Sequence, residues 1–238
     1  MLLLQTLSRF KIHAPLAVTV LVVQVAASAL AAANEPTVED YLRDLPKKYR
    51  THYGDFQNEP TPETTIKDLR NGYIAFLDRA PHPNDDSAPY PIFEIAVFKQ
   101  ANTEPLIVVS NTLADSYCVQ HESFFLRKRG TSWRDVRARV LPAFSAEMFF
   151  AEAGMVQKLE GLHRKFKQAV PPRKDLYKYL QFSLPREGTR VKVALDLCKY
   201  APSAPELDLG PDYDLLDKNK KSISLEWDKP SGTFKVAR

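Results

Sequence analysis

The chain has 238 residues, and its 33 Lys and Arg against 29 Asp and Glu leave a formal net charge of +4. So slight a surplus gives no general attraction for nucleic acid, which is bound through concentrated positive charge. The length suits one domain or at most two small ones, and eight glycines leave little room for a phosphate-cradling loop.

The N-terminus reads as an export leader. Arg9, Lys11 and His13 form a basic region, and "APLAVTVLVVQVAASAL" then runs from Ala14 to Leu30 without a charge. Ala31 and Ala33 follow in the small-residue pattern that signal peptidase accepts, placing cleavage before Asn34. The other reading is an uncleaved anchor, since about 20 apolar residues can span a bilayer; Gln24, Ser28 and the many alanines weigh against it. Removing residues 1–33 from 238 leaves 205, and losing Arg9 and Lys11 brings 31 basic residues against 29 acidic ones, a net charge of +2. The mature form is not expected to lie in a membrane. No Asn-x-Ser/Thr sequon occurs, which favours the bacterial periplasm or the extracellular space over a eukaryotic secretory route.

After the leader, residues 34–65 are expected to form a short helix and an extended arm. Thr37 is placed to cap "TVEDYLRDL", and "GDFQNEPTPETT" carries the helix-breaking Pro60 and Pro62. From residue 66 the hydrophobic period becomes two. "IKDLRNGYIAFL" reads as a hairpin with a two-residue Asn71-Gly72 turn. "PIFEIAVFK" and "PLIVVS" are apolar on both faces, as central strands covered on both sides are. Between them and the first hairpin lies "DRAPHPNDDSAPYP", whose four prolines exclude regular structure. "SFFLRKRGTSWRDVRARVLP" reads as a hairpin turning at Gly130.

One long helix is then expected in "SAEMFFAEAGMVQKLEGLHRKFKQA". Its stripe of Phe144, Met148, Ala151, Met155, Leu159, Leu162 and Phe166 recurs at steps of three and four. Gly154 and Gly161 either break this helix or let it approach a sheet closely. Four further segments, "YLQFSLP", "RVKVALDL", "SISLEWD" and "GTFKV", place apolar residues on one face only, as half-solvated antiparallel strands do. The prediction is an α+β fold: mainly antiparallel sheet in hairpins or a meander, packed by one long amphipathic helix, with residues 66–238 as a single domain.

These landmarks resemble a group of exported bacterial proteins of uncharacterised function. The shared look is "NGYI", "EIAVFK", "PLIVVSN", a loop containing a cysteine, "G-x-x-W-x-DV" and "VLP". Toward the C-terminus it continues with "LP-x-x-GT-x-VKVALDLC" and "LEWDK-x-x-G-x-F-x-V". The resemblance spans Ile66 to Val236. It implies a secreted β-rich domain and carries no catalytic residue across.

The densest chemistry lies in "DSYCVQHE", Asp115 to Glu122. A nucleophile and a base this close in sequence rarely form a catalytic pair, because triads assemble from distant segments. Adjacent His121 and Glu122 would point to opposite faces of a strand. A loop between strands explains the stretch. His52, His82, His121 and His163 have no partner at metal-ligand spacing. An EF-hand starting at Asp212 fails, because its fifth and twelfth positions are Leu216 and Ile223. Calcium binding by "HPNDDS" competes with the ordinary composition of a proline-rich turn.

No metal or cofactor is therefore expected. The basic run Lys158, Arg164, Lys165, Lys167, Arg173 and Lys174 reads either as a surface for an anionic partner or as the wet face of an amphipathic helix. Cys118 and Cys198, an even pair in an exported chain, are expected to form one disulfide, whereas a free Cys118 would be a candidate nucleophile. Two functions remain. One is a non-catalytic exported module that binds a partner or ligand. The other is a hydrolase whose Asp85, Asp86, Asp115, His121 and Glu122 converge only in three dimensions.

Overall fold

A computed structural model describes residues 35–50, 64–77, 91–101, 103–114, 119–165, 173–197 and 210–237. The chain divides into Met1–Thr37 and Val38–Arg238. In the first unit only residues 35–37 are described, and they carry no regular element. The leader, the polar loop 78–90 and both cysteines lie outside the described residues.

The second unit is mainly antiparallel sheet with a few short helices, an α+β domain. Its larger sheet is a six-stranded meander of β1 (Thr65–Asp68), β2 (Tyr73–Leu77), β3 (Pro91–Gln100), β4 (Thr103–Ala114), β5 (Val119–Arg129) and β6 (Ser132–Asp135), paired in that order. The first hairpin forms where expected, but Asp68 pairs with Tyr73, so its turn takes four residues and not two. The cause is local. The Asp68 carboxylate accepts both the backbone N–H and the side-chain amide of Asn71, at 3.2 and 3.0 Å, which folds Leu69–Gly72 into a turn of its own. Gly72 has φ +68°, a region in which a Cβ is crowded, and its carbonyl accepts the N–H of Val97 at 2.9 Å. The β5–β6 turn is the two-residue Gly130-Thr131, since Arg129 pairs with Ser132.

The central strands are covered on both faces, as their apolar runs imply. Ile74, Phe93, Ile95, Ile107, Val109 and Leu126 share one face with Val38, Leu45 and Tyr49. Those last three come from or follow α1 (Val38–Asp44). This short helix is tied down by Lys67–Glu39 and Lys128–Asp44 ion pairs, both 2.8 Å, and by Trp133 Nε1 donating to Asp44 at 3.2 Å.

The opposite face presents Tyr73, Ala75, Ala96, Phe98, Leu106, Val108 and Phe125 to a second sheet. That sheet holds β7 (Leu180–Ser183), β8 (Arg190–Leu195), β9 (Ile223–Asp228) and β10 (Thr233–Val236), in the order β10-β9-β8-β7. Its strands bury one side only: Val191, Val193 and Leu195 are inside while Arg190 and Lys192 are exposed. Aromatic rings stitch the layers together. Phe125 meets Phe182 and Phe234 at centroid distances of 5.0 and 6.1 Å, and Phe98 meets Trp227 at 5.8 Å.

The turn before β10 ends at Gly232, φ +65°, where an added Cβ would overlap the Gln100 side chain. Gly188 has a similar φ of +81° but faces open space. Gly188→Ala is expected to cost about 1–2 kcal/mol from backbone strain alone. Gly232→Ala carries the same backbone strain and in addition only makes the far end of the half-buried Gln100 side chain swing aside, so it should cost no more than about 1 kcal/mol beyond Gly188→Ala. Urea midpoints of the two variants check this, and a difference above about 2 kcal/mol would contradict it.

The long helix expected from residue 145 is different. Ala146–Phe149 is a single 3-10 turn, and Phe150 is extended, bridging Lys220. A short helix, α2 (Arg137–Val140), precedes this segment, and α3 runs only over Met155–Lys165 among the described residues. Gly154 is the reason: at φ +88° it cannot continue a helix through from Phe150, and its carbonyl instead accepts the N–H of Lys158 in the first turn of α3. Gly161 sits within α3 and a Cβ there would meet nothing within 4 Å. Of the apolar stripe, Met155, Leu159 and Leu162 enter the core, Phe144 and Met148 pack against it, and Ala151 is exposed. The acidic stretch near residue 212 forms a fourth helix, α4 (Gly210–Asn219), whose Leu216 joins the same core.

Candidate functional site: a buried polar row

Polar side chains collect on the inner face of the large sheet, toward the end where β3 and β5 begin and β4 finishes. Register makes Glu94, Ser110 and Ser123 neighbours on three successive strands, with Thr112 opposite His121 one step beyond. All belong to the alternation that carries Phe98, Val108 and Phe125 into the core, so they face the second sheet and not solvent. Glu94 is 8 % exposed, Ser110 2 % and Ser123 5 %.

Buried polar groups need partners, and β7 supplies them. As an edge strand it leaves one side of its backbone unpaired. Ser110 Oγ donates to the carbonyl of Phe182 at 3.1 Å, and Ser123 Oγ donates to Ser110 Oγ at 3.3 Å. Glu94 accepts the hydroxyl of Tyr73 at 2.8 Å and the backbone N–H of Leu184, the residue after β7. Nearby, buried Asp196 accepts the backbone N–H of His121 at 3.3 Å, and Thr112 Oγ1 lies 3.2 Å from His121 Nδ1.

Burial pushes the Glu94 carboxyl up to about 7, although both of its hydrogen bonds pull the other way. Burial also raises the Tyr73 hydroxyl, and the neighbouring Glu94 raises it further. Tyr73 therefore keeps its proton and remains a donor. The row is a seam between sheets, in which Ser110 and Glu94 bond the backbone at Phe182 and Leu184 while Ser123 and Tyr73 donate to those two side chains in turn.

The residues singled out in the sequence do not assemble into a catalytic group among the described residues. His121 and Glu122 lie on opposite faces of β5, one facing Thr112 across the strands and the other Asn111. Asp85, Asp86, Asp115, Cys118 and Cys198 fall outside the described residues, as do His52 and His82. His163 is buried in α3 at 2 %. Among the described residues no group of three metal-ligating side chains occurs. On α3 Lys158 reaches Asp212 at 3.4 Å and Arg164 reaches Glu160 at 3.9 Å, so part of its basic face is already neutralised. Lys167 and the side chains of Arg173 and Lys174 lie outside the described residues.

Glu94 is the residue that reading the sequence missed. Its signal was present: a single carboxylate inside "PIFEIAVFK", a run judged apolar on both faces, has to find a buried partner.

No family model matches the chain, and no curated protein matches it. A solved domain of an uncharacterized protein from Porphyromonas gingivalis W83 is similar at 14 % identity and a TM-score of 0.45, over 85 % of this chain and 93 % of that one.

Proposed function

We propose that the chain is an exported, non-catalytic module that binds a partner or ligand. The observation that carries this reading is the seam itself. Ser110 is 2 % exposed with its hydroxyl committed to Phe182, and Glu94 is closed in by Tyr73 and Leu184. A nucleophile or base must reach the atom it attacks, and these groups face the protein's own backbone. Export is supported by the charge, apolar and small-residue order of residues 1–33 and by the resemblance to exported β-rich proteins. Among the described residues no helix is long and apolar enough to cross a membrane. The pairing of Cys118 with Cys198 belongs to the same proposal.

Two measurements on the exported protein test it together. Fluorophosphonate and ester, peptide and glycoside substrates should give neither labelling nor turnover. Cross-linking in periplasmic extract should capture one stoichiometric partner. Turnover abolished by His121→Ala or Ser110→Ala in a folded variant would overturn the proposal in favour of a hydrolase.

A further inference from the structure

The geometry points to the β5–β6 hairpin as the binding surface of this module, its arginines Arg127, Arg129 and Arg134 taking an extended acidic peptide segment. The inference rests on the reading as a binding module and names the chemistry of its partner.

Arg127 and Arg134 are direct cross-strand partners, and Arg129 pairs with Ser132 on the same face. Directly opposed residues hold their Cβ atoms about 5 Å apart, where like charges repel. A fold that keeps such a pair normally neutralises it, yet among the described residues the hairpin's basic residue with an ion-pair partner is Lys128, opposite Trp133 on the other face. There Lys128 meets Asp44 at 2.8 Å. On the arginine face no carboxylate comes within ion-pair distance among the described residues. Asp228 is engaged by Lys235 and Ser231, Glu104 of β4 forms no ion pair with the three among the described residues, and Asp135, opposite Leu126 on the other face, is taken by Arg137 at 2.6 Å.

Arg127 is already oriented. Its Nη2 donates to the carbonyl of Gly232 at 3.2 Å, while its Nε is buried without a hydrogen-bond partner. A guanidinium fixed this way loses little freedom when a carboxylate arrives. Arg129 and Arg134 are exposed beside it. The contrast with α3 is direct: its Lys158 and Arg164 have carboxylates within 4 Å, Asp212 of α4 and Glu160 of α3 itself, and among the described residues the hairpin arginines have none.

The open edge favours a peptide over a membrane. β6 ends the sheet, so no strand of the large sheet lies on its far side. An incoming strand can take those backbone groups while its alternate side chains project onto the arginine face. The hairpin turn is Gly130-Thr131, which offers no aromatic or apolar side chain to enter a bilayer.

The test uses the exported protein and a fluorescein-labelled ten-residue peptide of alternating glutamate and valine, read by anisotropy at low and high salt. Its controls are the glutamine analogue and phosphatidylglycerol vesicles. Binding should appear for the glutamate peptide alone and weaken as salt rises. Arg129→Gln with Arg134→Gln, both exposed, should weaken it about tenfold through two lost charge pairs. Arg127→Gln should do the same if its circular dichroism is unchanged. Lys158→Gln with Lys165→Gln on α3 should leave affinity intact. Equal binding of the glutamine peptide, binding to vesicles only, or loss through the α3 variant would each overturn the inference. If the arginine variants still capture the cross-linked partner, the hairpin assignment falls and the binding-module reading stands; catalytic turnover would remove the latter.

Discussion

Raising the pH from 4.5 to 8 is expected to lower the unfolding free energy by roughly 3 kcal/mol through Glu94. Its ordinary value is 4.5 and burial raises it to about 7 in the folded protein, and each pKa unit is worth about 1.4 kcal/mol. Below pH 4.5 both folded and unfolded chains hold the proton, so the favourable neutral state is fully present. Between 4.5 and about 7 the unfolded chain releases it while the folded chain keeps it, and stability falls as pH rises. Above about 7 both are ionised and the loss is complete. Asp44, Asp68 and Asp228 act in a separate window. Lys128 holds the first low, Asn71 the second and Lys235 the third, so their support is lost only as pH falls through the acid range.

Glu94→Gln keeps an acceptor for Tyr73 and cannot ionise. Urea unfolding at pH 4.5, 6 and 8 should show the wild type weakening and the variant nearly level. Parallel profiles would mean that Glu94 ionises without hindrance and that the seam is wet.

Phe125→Ala is expected to cost about 3–5 kcal/mol, the range for truncating a buried phenylalanine. Phe125 is fully buried and meets rings from β7 and β10 edge to face, so the cavity would open between the sheets. The second sheet has no substitute face for this one, because the outer side of β8 and β9 carries Arg190, Lys192 and Glu226 in solvent. Wild type and variant should both unfold in one transition, reported alike by tryptophan fluorescence and far-ultraviolet circular dichroism. Two transitions would separate the sheets into independent units. Leu69→Ala, at a half-exposed turn position, should change stability by less than about 0.5 kcal/mol.

Much of the strand pattern was legible because it depends on neighbours in sequence. The even alternation of "RVKVALDL" and "SISLEWD" follows from a sheet with one wet side. The unbroken apolar runs of "PIFEIAVFK" and "PLIVVS" follow from strands covered twice, and Gly130 marks a turn that needs a positive φ. The helix was misjudged for a physical reason. The stripe from Phe144 to Phe166 fits a 3.6-residue period, but consecutive Phe149 and Phe150 are both buried. They meet that demand by leaving the helix to pair with the chain before β9. Helical period alone does not reveal a competing partner 70 residues away, and the left-handed Gly154 then sets where α3 begins.

By itself the sequence determined the class of the domain, the places of most strands and turns, and an expectation of export. It did so because side-chain alternation, glycine conformation and leader composition are local properties. Only the tertiary structure decided what the polar residues do. Glu94, Ser110 and Ser123 lie on three separate strands and become neighbours through register, and Ser110 and Glu94 find backbone partners at Phe182 and Leu184, groups that any sequence possesses and none advertises. The arginines divide in the same way. Their number was visible from the start, but whether each faces a carboxylate depends on strand parity and on which layer lies opposite.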